Sequence, residues 1–153
     1  MPQIVVETEI NADIEICFDL ARDVGFYSKS LKDHNEIPIS GKISGLVEKG
    51  DYVTWETNHL FLLRHITFKI SELKKPYFFV DEVVRGEFKS YRHHHIFKKK
   101  KEKTIMVDKL DFASKYGVLG KMVDGLFYKR YLKELLITRN EILKQKAEEL
   151  SKQ

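Results

Sequence analysis

Three textures of apolar and polar positions follow one another along the chain. Ile4 to Ile10 is dense in β-branched residues and stops at Asn11, which predicts a strand. Asn11-Ala12-Asp13 then supplies helix-capping side chains. Ile14, Cys17, Phe18 and Ala21 follow at helical spacing and define one face of a short helix. Gly25 interrupts this pattern, and Phe26 to Leu31 predicts a second short helix beyond the break.

From residue 37 to residue 112 short β-rich runs alternate with turn signals. Strands are predicted at Ile39–Leu46, Tyr52–Asn58, Leu60–Leu73, Tyr77–Val84, Phe88–Phe97 and Thr104–Phe112, the first of them weakened by Gly41 and Gly45. Glu48-Lys49-Gly50-Asp51, Lys74-Lys75-Pro76, Arg85-Gly86 and the lysine-rich stretch Lys98–Lys103 separate them. Evenly spaced runs of this kind predict an antiparallel meander. With the first strand, the count is seven.

The tail carries no proline, and Leu119, Met122, Val123, Leu126, Phe127, Leu135, Ile142 and Leu143 form a broad apolar stripe at helical spacing. A helix from Leu119 to Gln145 would run about 40 Å. It needs a large apolar partner, and the concave face of the sheet is the only candidate of that size. Beyond Lys144 the chain turns polar, so its end is expected to fray.

The length of 153 residues suits one domain, 1–153, with an α+β architecture. Apolar residues at 42% and charged residues at 33% place it among globular rather than disordered chains. Twenty-seven basic against 23 acidic residues give a net charge of +4, too small to argue for nucleic acid. The lone Cys17 excludes an internal disulfide and any CxxC motif, and its place on an apolar helix face suits a small buried hydrophobe. No run approaches the ~20 apolar residues of a membrane-spanning helix, and Met1 to Glu7 lacks the order of a signal peptide. The expectation is a reduced, cytoplasmic chain without stable membrane insertion. Phosphate-cradling, nucleophile-elbow and zinc-protease motifs are absent.

Strand alternation picks out candidate chemistry. Leu62, Ile66, Phe68 and Ile70 share a face with Arg64. A guanidinium among such neighbours either anchors a ligand carboxylate or closes an ion pair in the core. Met106, Asp108, Leu110 and Phe112 share a second face, and Tyr91, His93, His95 and Phe97 a third. The two strands are joined by one turn, so Asp108 is expected beside a histidine. Such a pair could serve acid–base work on a ligand, or simply form a satisfied polar network. His59, His93 and His95 with Asp108 or Glu82 could ligate zinc, but an HxH pair without a defined third ligand is a weak signal, and no metal is expected. Whether Asp81 or Glu82 points inward stays open, because both faces of that strand carry apolar residues. Trp55 suits either a cavity wall or plain core, and Met122, Leu126 and Phe127 face the sheet in both cases. Lys98–Lys103 reads as a solvated hairpin tip or as a site for an anionic surface.

Specific segments resemble a known family. Gly50-Asp51-Tyr52-Val53-Thr54-Trp55-Glu56 with His59, then Pro76, Phe79, Asp81-Glu82, Gly86 and Phe88, are similar to motifs of a bacterial subgroup of the SRPBCC superfamily, also called START or Bet v 1-like. His93, His95, Phe97, Thr104, Met106 and Asp108 continue the match, as do Gly117, Leu119-Gly120, Leu126-Phe127, Leu135, Arg139 and Leu143 in the tail. The chain departs from the pattern at Ser114-Lys115-Tyr116, where the family carries proline and glycine, and in the glycine-free turn at Lys98–Lys103. The resemblance implies a helix-grip fold, in which a seven-stranded curved antiparallel sheet wraps a long C-terminal helix and two short helices follow the first strand. It also implies a cavity between sheet and helix, with Phe79 on its wall. Members bind lipids, sterols, polyketides or other apolar ligands, and some are cyclases or hydrolases. Others carry a cell-division label, for which these residues offer nothing.

The combined expectation is a monomer or homodimer that binds a small, mostly apolar molecule (a lipid, fatty acid, polyketide or aromatic acid), with no cofactor and no nucleic acid, while whether it also catalyses a reaction stays open. The expected wall is Trp55, His59, Arg64, Phe79, Tyr91, His93, His95, Met106, Asp108, Met122, Leu126 and Phe127. The alternative is a cyclase, dehydratase or hydrolase using a His–Asp pair in the same cavity.

Overall fold

The computed structural model describes residues 3–31, 35–59, 62–115 and 127–153. Strand β1 (Gln3–Ile10) leads into helices α1 (Ile14–Ala21) and α2 (Val24–Ser30). Strands β2 (Glu36–Gly41), β3 (Tyr52–His59), β4 (Leu62–Lys74), β5 (Phe78–Arg85), β6 (Phe88–Lys100) and β7 (Lys103–Ser114) follow, and helix α3 (Lys129–Ser151) closes the chain. The sheet order is β1-β7-β6-β5-β4-β3-β2, every pair antiparallel. β1 and β2 are therefore opposite edges, and α1 with α2 carries the chain from one to the other. This is the seven-stranded helix-grip architecture that the family resemblance implies.

α1 forms because Ile14, Cys17, Phe18 and Ala21 repeat at helical spacing, and all four are buried. Its N-cap Asp13 makes no side-chain cap hydrogen bond, contrary to expectation. The break before α2 falls at Arg22-Asp23 rather than at Gly25. The Asp23 carboxylate accepts from the Phe26 backbone N–H at 3.0 Å and starts a new helix that contains Gly25. Two further boundaries differ. β2 begins at Glu36 and ends at Gly41, whose φ of 77° breaks the strand. α3 does not fray after Lys144 but continues to Ser151, because Ala147 is fully buried against the rest of the core. The expected helical stretch Leu119–Leu126 lies outside the described residues.

Along α3, Leu132, Leu136, Arg139, Asn140, Leu143 and Ala147 recur every three or four residues and face inward, where the helix packs on β1 and α1. Two apolar clusters result. One joins Phe18, Phe79 and Phe97 with Leu143 and Ala147, and the Phe18 ring meets the other two edge-on at 5.7 and 5.4 Å. The other joins Ile4, Ile66, Phe88, Leu110, Phe112 and Leu136.

Candidate functional site

A cavity of about 180 Å³ lies where these clusters face each other, with wall residues drawn from both. Its sheet wall follows from strand alternation. Val53, Trp55 and Thr57 of β3 pair in register with Phe68, Ile66 and Arg64 of β4, and all six line it. Phe79 and Asp81 of β5 pair with His95 and His93 of β6. Phe79, Asp81 and His93 reach the wall, as does Tyr91. Across from them stand Tyr27 of α2 and Leu132, Leu136 and Arg139 of α3.

Behind this wall is a buried polar network. His93 Nε2 lies 2.8 Å from Asp108 Oδ1, and His95 Nδ1 lies 3.3 Å from the same oxygen. His95 Nε2 bonds Asp81 Oδ2 at 2.8 Å, while the Asn140 side-chain amide donates to Asp108 Oδ2 at 2.8 Å. The imidazoles of His93 and His95 stack at 3.7 Å between centroids, and Phe79 covers the other side of His95 at 4.1 Å.

The charges follow from this geometry. Burial alone would pull the His95 pKa down, but Asp81 and then Asp108 outweigh it and lift it to about 9, so His95 is a cation between two carboxylates. Burial and the neighbouring His95 charge push His93 the other way, so His93 is neutral at neutral pH. The two imidazoles hold Asp108 far below the usual carboxylate range despite its burial, and His95 does the same for Asp81. With its Nε2–H donated to Asp108, His93 has no partner for Nδ1 among the described residues.

Among the described residues, three arginines line the cavity. Arg22 pairs with Asp19 at 2.9 Å and Glu48 at 2.8 Å. Arg64 pairs with Glu87 and meets the Tyr128 hydroxyl at 3.0 Å. Of the two readings of Arg64, the ion pair is the one its contacts satisfy. Arg139 differs. It is partly buried and lies over the Tyr27 ring at 4.6 Å from the centroid, yet among the described residues no carboxylate comes within 4.0 Å and its buried Nε has no hydrogen-bond partner. Glu36 and Asp81 act on it only from farther away.

Of the residues expected at the wall, Trp55, Arg64, Phe79, Tyr91 and His93 are there. His95 and Asp108 do not line it but belong to the network, with His95 opposite Phe79 and Asp108 opposite His95 in register. Met106 packs in the core beside Phe97, at 1% exposure, and is not among the residues lining the cavity. Phe127 stands 51% exposed and stacks on Tyr131, at the start of α3, and does not line the cavity. Met122, Leu126 and the side chain of His59 lie outside the described residues. The open question on β5 resolves to Asp81 inward, while Glu82 pairs outside with Arg92 at 2.7 Å. Sequence reasoning missed Arg139 and Tyr27 as wall residues. Arg139 lies four residues from both Leu135 and Leu143, so a cation interrupting the apolar stripe was a visible signal.

Asp81, His93 and His95 also bring three potential metal-ligand atoms within 4.8 Å of one another. Both nitrogens of His95 already meet carboxylates, and its positive charge opposes a second cation, so the cluster is satisfied as an ion-pair network. No helix of the described residues is long and apolar enough to cross a membrane.

Neither a family model nor a curated protein matches the sequence. Solved structures do match in fold. A protein from Thermus thermophilus aligns over 98% of this chain and 99% of its own at a TM-score of 0.76 and 17% identity. A START superfamily protein from Mycobacterium smegmatis aligns over 97% and 98%, at 0.72 and 15%. A Thalictrum norcoclaurine synthase point mutant, in complex with a transition-state analogue, aligns over 97% and 94%, at 0.70 and 13%. At such identities the likeness is one of fold.

Proposed function

We propose that this chain, which has the helix-grip fold of the START and Bet v 1-like proteins, binds one small, mostly apolar molecule in the cavity between α3 and the sheet. The observation that carries this reading is the cavity itself: a hollow of about 180 Å³ in the middle of the core, where close packing is the rule. Its wall is aromatic and aliphatic with a few fixed polar groups, the usual make-up of a small-molecule site. A dry cavity of roughly 150 Å³ takes a benzene ring, so a ligand of about one ring plus a short substituent matches the space.

Trp55, the one tryptophan, is on the wall and reports occupancy. Titration of purified protein with ring-sized apolar molecules should quench or shift its emission, and native mass spectrometry should show one molecule per chain. Val53→Phe, which fills the hollow, should abolish both signals. Binding that survives Val53→Phe would place the ligand elsewhere.

A second reading is favoured by His93. A neutral imidazole on a cavity wall, oriented by a carboxylate through Nε2 and with Nδ1 unpartnered among the described residues, is the arrangement of a general base. Proton abstraction in a cyclase- or dehydratase-type step would then occur at Nδ1. His93→Gln would abolish turnover of such a substrate and leave its binding largely intact. Parallel loss of both would reject the catalytic reading.

A further inference from the structure

We infer that the polar end of the ligand is a carboxylate received by the Arg139 guanidinium, and that the ligand class is a small aromatic carboxylic acid. This rests on the binding reading above and names the chemistry of that same site.

The argument begins with the contrast among the three arginines on the wall. Arg22 and Arg64 each have carboxylates in contact, whereas Arg139 has none among the described residues. A guanidinium whose Nε is shut off from water with no counter-ion in contact is costly to hold there. The network behind it offers no relief. Asp81 and Asp108 are already engaged by His95 and His93 at 2.8 Å. Tyr27 gives a π face to the guanidinium at 4.6 Å, and the guanidinium's forked donors suit a planar bidentate acceptor. A carboxylate is such an acceptor, and its charge completes the missing pair.

Size and lining fix the remainder of the molecule. About 180 Å³ excludes a sterol or a long acyl chain wholly enclosed in this cavity. Trp55, Phe68, Phe79, Phe88 and Tyr91 contribute aromatic faces and edges to the wall, which favour an aromatic ring over a flexible chain. Folding such a chain into the same space would also freeze more rotors.

Isothermal titration with trans-cinnamate, its neutral isostere cinnamamide, and decanoate tests this. Cinnamate should bind at least about tenfold tighter than cinnamamide, equivalent to about 1.4 kcal/mol. R139Q should erase that difference by weakening cinnamate far more than cinnamamide. In the wild type the Arg139 Nε–Hε resonance should shift with cinnamate and stay put with cinnamamide, a readout that needs no variant. Equal affinity for acid and amide in the wild type, or an R139Q protein that keeps the preference, would overturn the assignment to Arg139. Decanoate binding much more tightly than cinnamate would overturn the aromatic class. If none of the three binds but other apolar rings do, the carboxylate inference fails and the binding reading stands. If no ring-sized molecule binds, both fail.

Discussion

His95 makes the stability of this protein depend on pH in an unusual direction. In the unfolded chain its imidazole titrates near 6.5, and in the folded chain, between Asp81 and Asp108, near 9. A group whose folded pKa is raised stabilises fully below its unfolded value and loses that contribution as pH rises through the folded one. Between these limits the native state holds one more proton than the unfolded state, so each pH unit removes about 1.4 kcal/mol. From pH 7.0 to 8.5 the loss should be about 2 kcal/mol. With a urea slope of roughly 2 kcal/mol/M for a domain of this size, the midpoint should fall by about 1 M. Trp55 fluorescence gives the unfolding curves. Tyr27, pushed to about 12, stays out of this window, and Cys17, at 9.0 unfolded and about 11 folded, adds only a small loss at its upper end. His95→Gln lowers stability but should flatten the pH dependence. A wild-type midpoint constant within about 0.2 M, or an equal slope in His95→Gln, would refute a buried cation at His95.

Other outcomes follow from the same structure. His93, held neutral, makes stability fall again as pH drops through 6.5, so the stability maximum should lie near that value in a pH series of melting curves. Asp108→Ala leaves His95 with one counter-ion fewer and strands the Asn140 donor, and urea unfolding should show a loss of about 3–5 kcal/mol. Arg139→Gln without ligand should stay within about 1 kcal/mol of wild type, since the charge it removes has no carboxylate in contact among the described residues. Leu143→Ala, at a position of zero exposure, should cost about 2–5 kcal/mol by the same assay. Lys101 sits at φ 59° in the β6–β7 turn, so Lys101→Gly should stabilise by up to about 1 kcal/mol.

Much of the fold was legible because the burial pattern is regular. Arg64, Ile66, Phe68 and Ile70 alternate strictly along β4, and all four line the cavity as period-two reasoning requires. The pairing of Asp108 with a histidine was legible for the same reason: β6 and β7 share one turn, and register puts His95 opposite Asp108. The illegible parts have physical causes. On β5, Phe78, Val80 and Val84 alternate with Phe79 and Val83, so hydrophobicity could not distinguish Asp81 from Glu82. The outer partner Arg92 decides it. The end of α3 looked polar because one buried Ala147 among charged residues carries too little hydrophobicity to register. Arg139 stood out as a cation on the apolar stripe, yet the stripe alone did not place it at the cavity. A charged residue on an apolar stripe is read as a rim position unless the geometry shows it at a cavity wall.

The central claim is a hollow core that accepts a small molecule against fixed polar groups. A crystal structure of the protein soaked in trans-cinnamate tests it most directly. The account predicts one ring among Trp55, Phe68 and Phe88, with the carboxylate within hydrogen-bond distance of Arg139. A core closed by side chains, or a guanidinium already paired with a protein carboxylate, would contradict it.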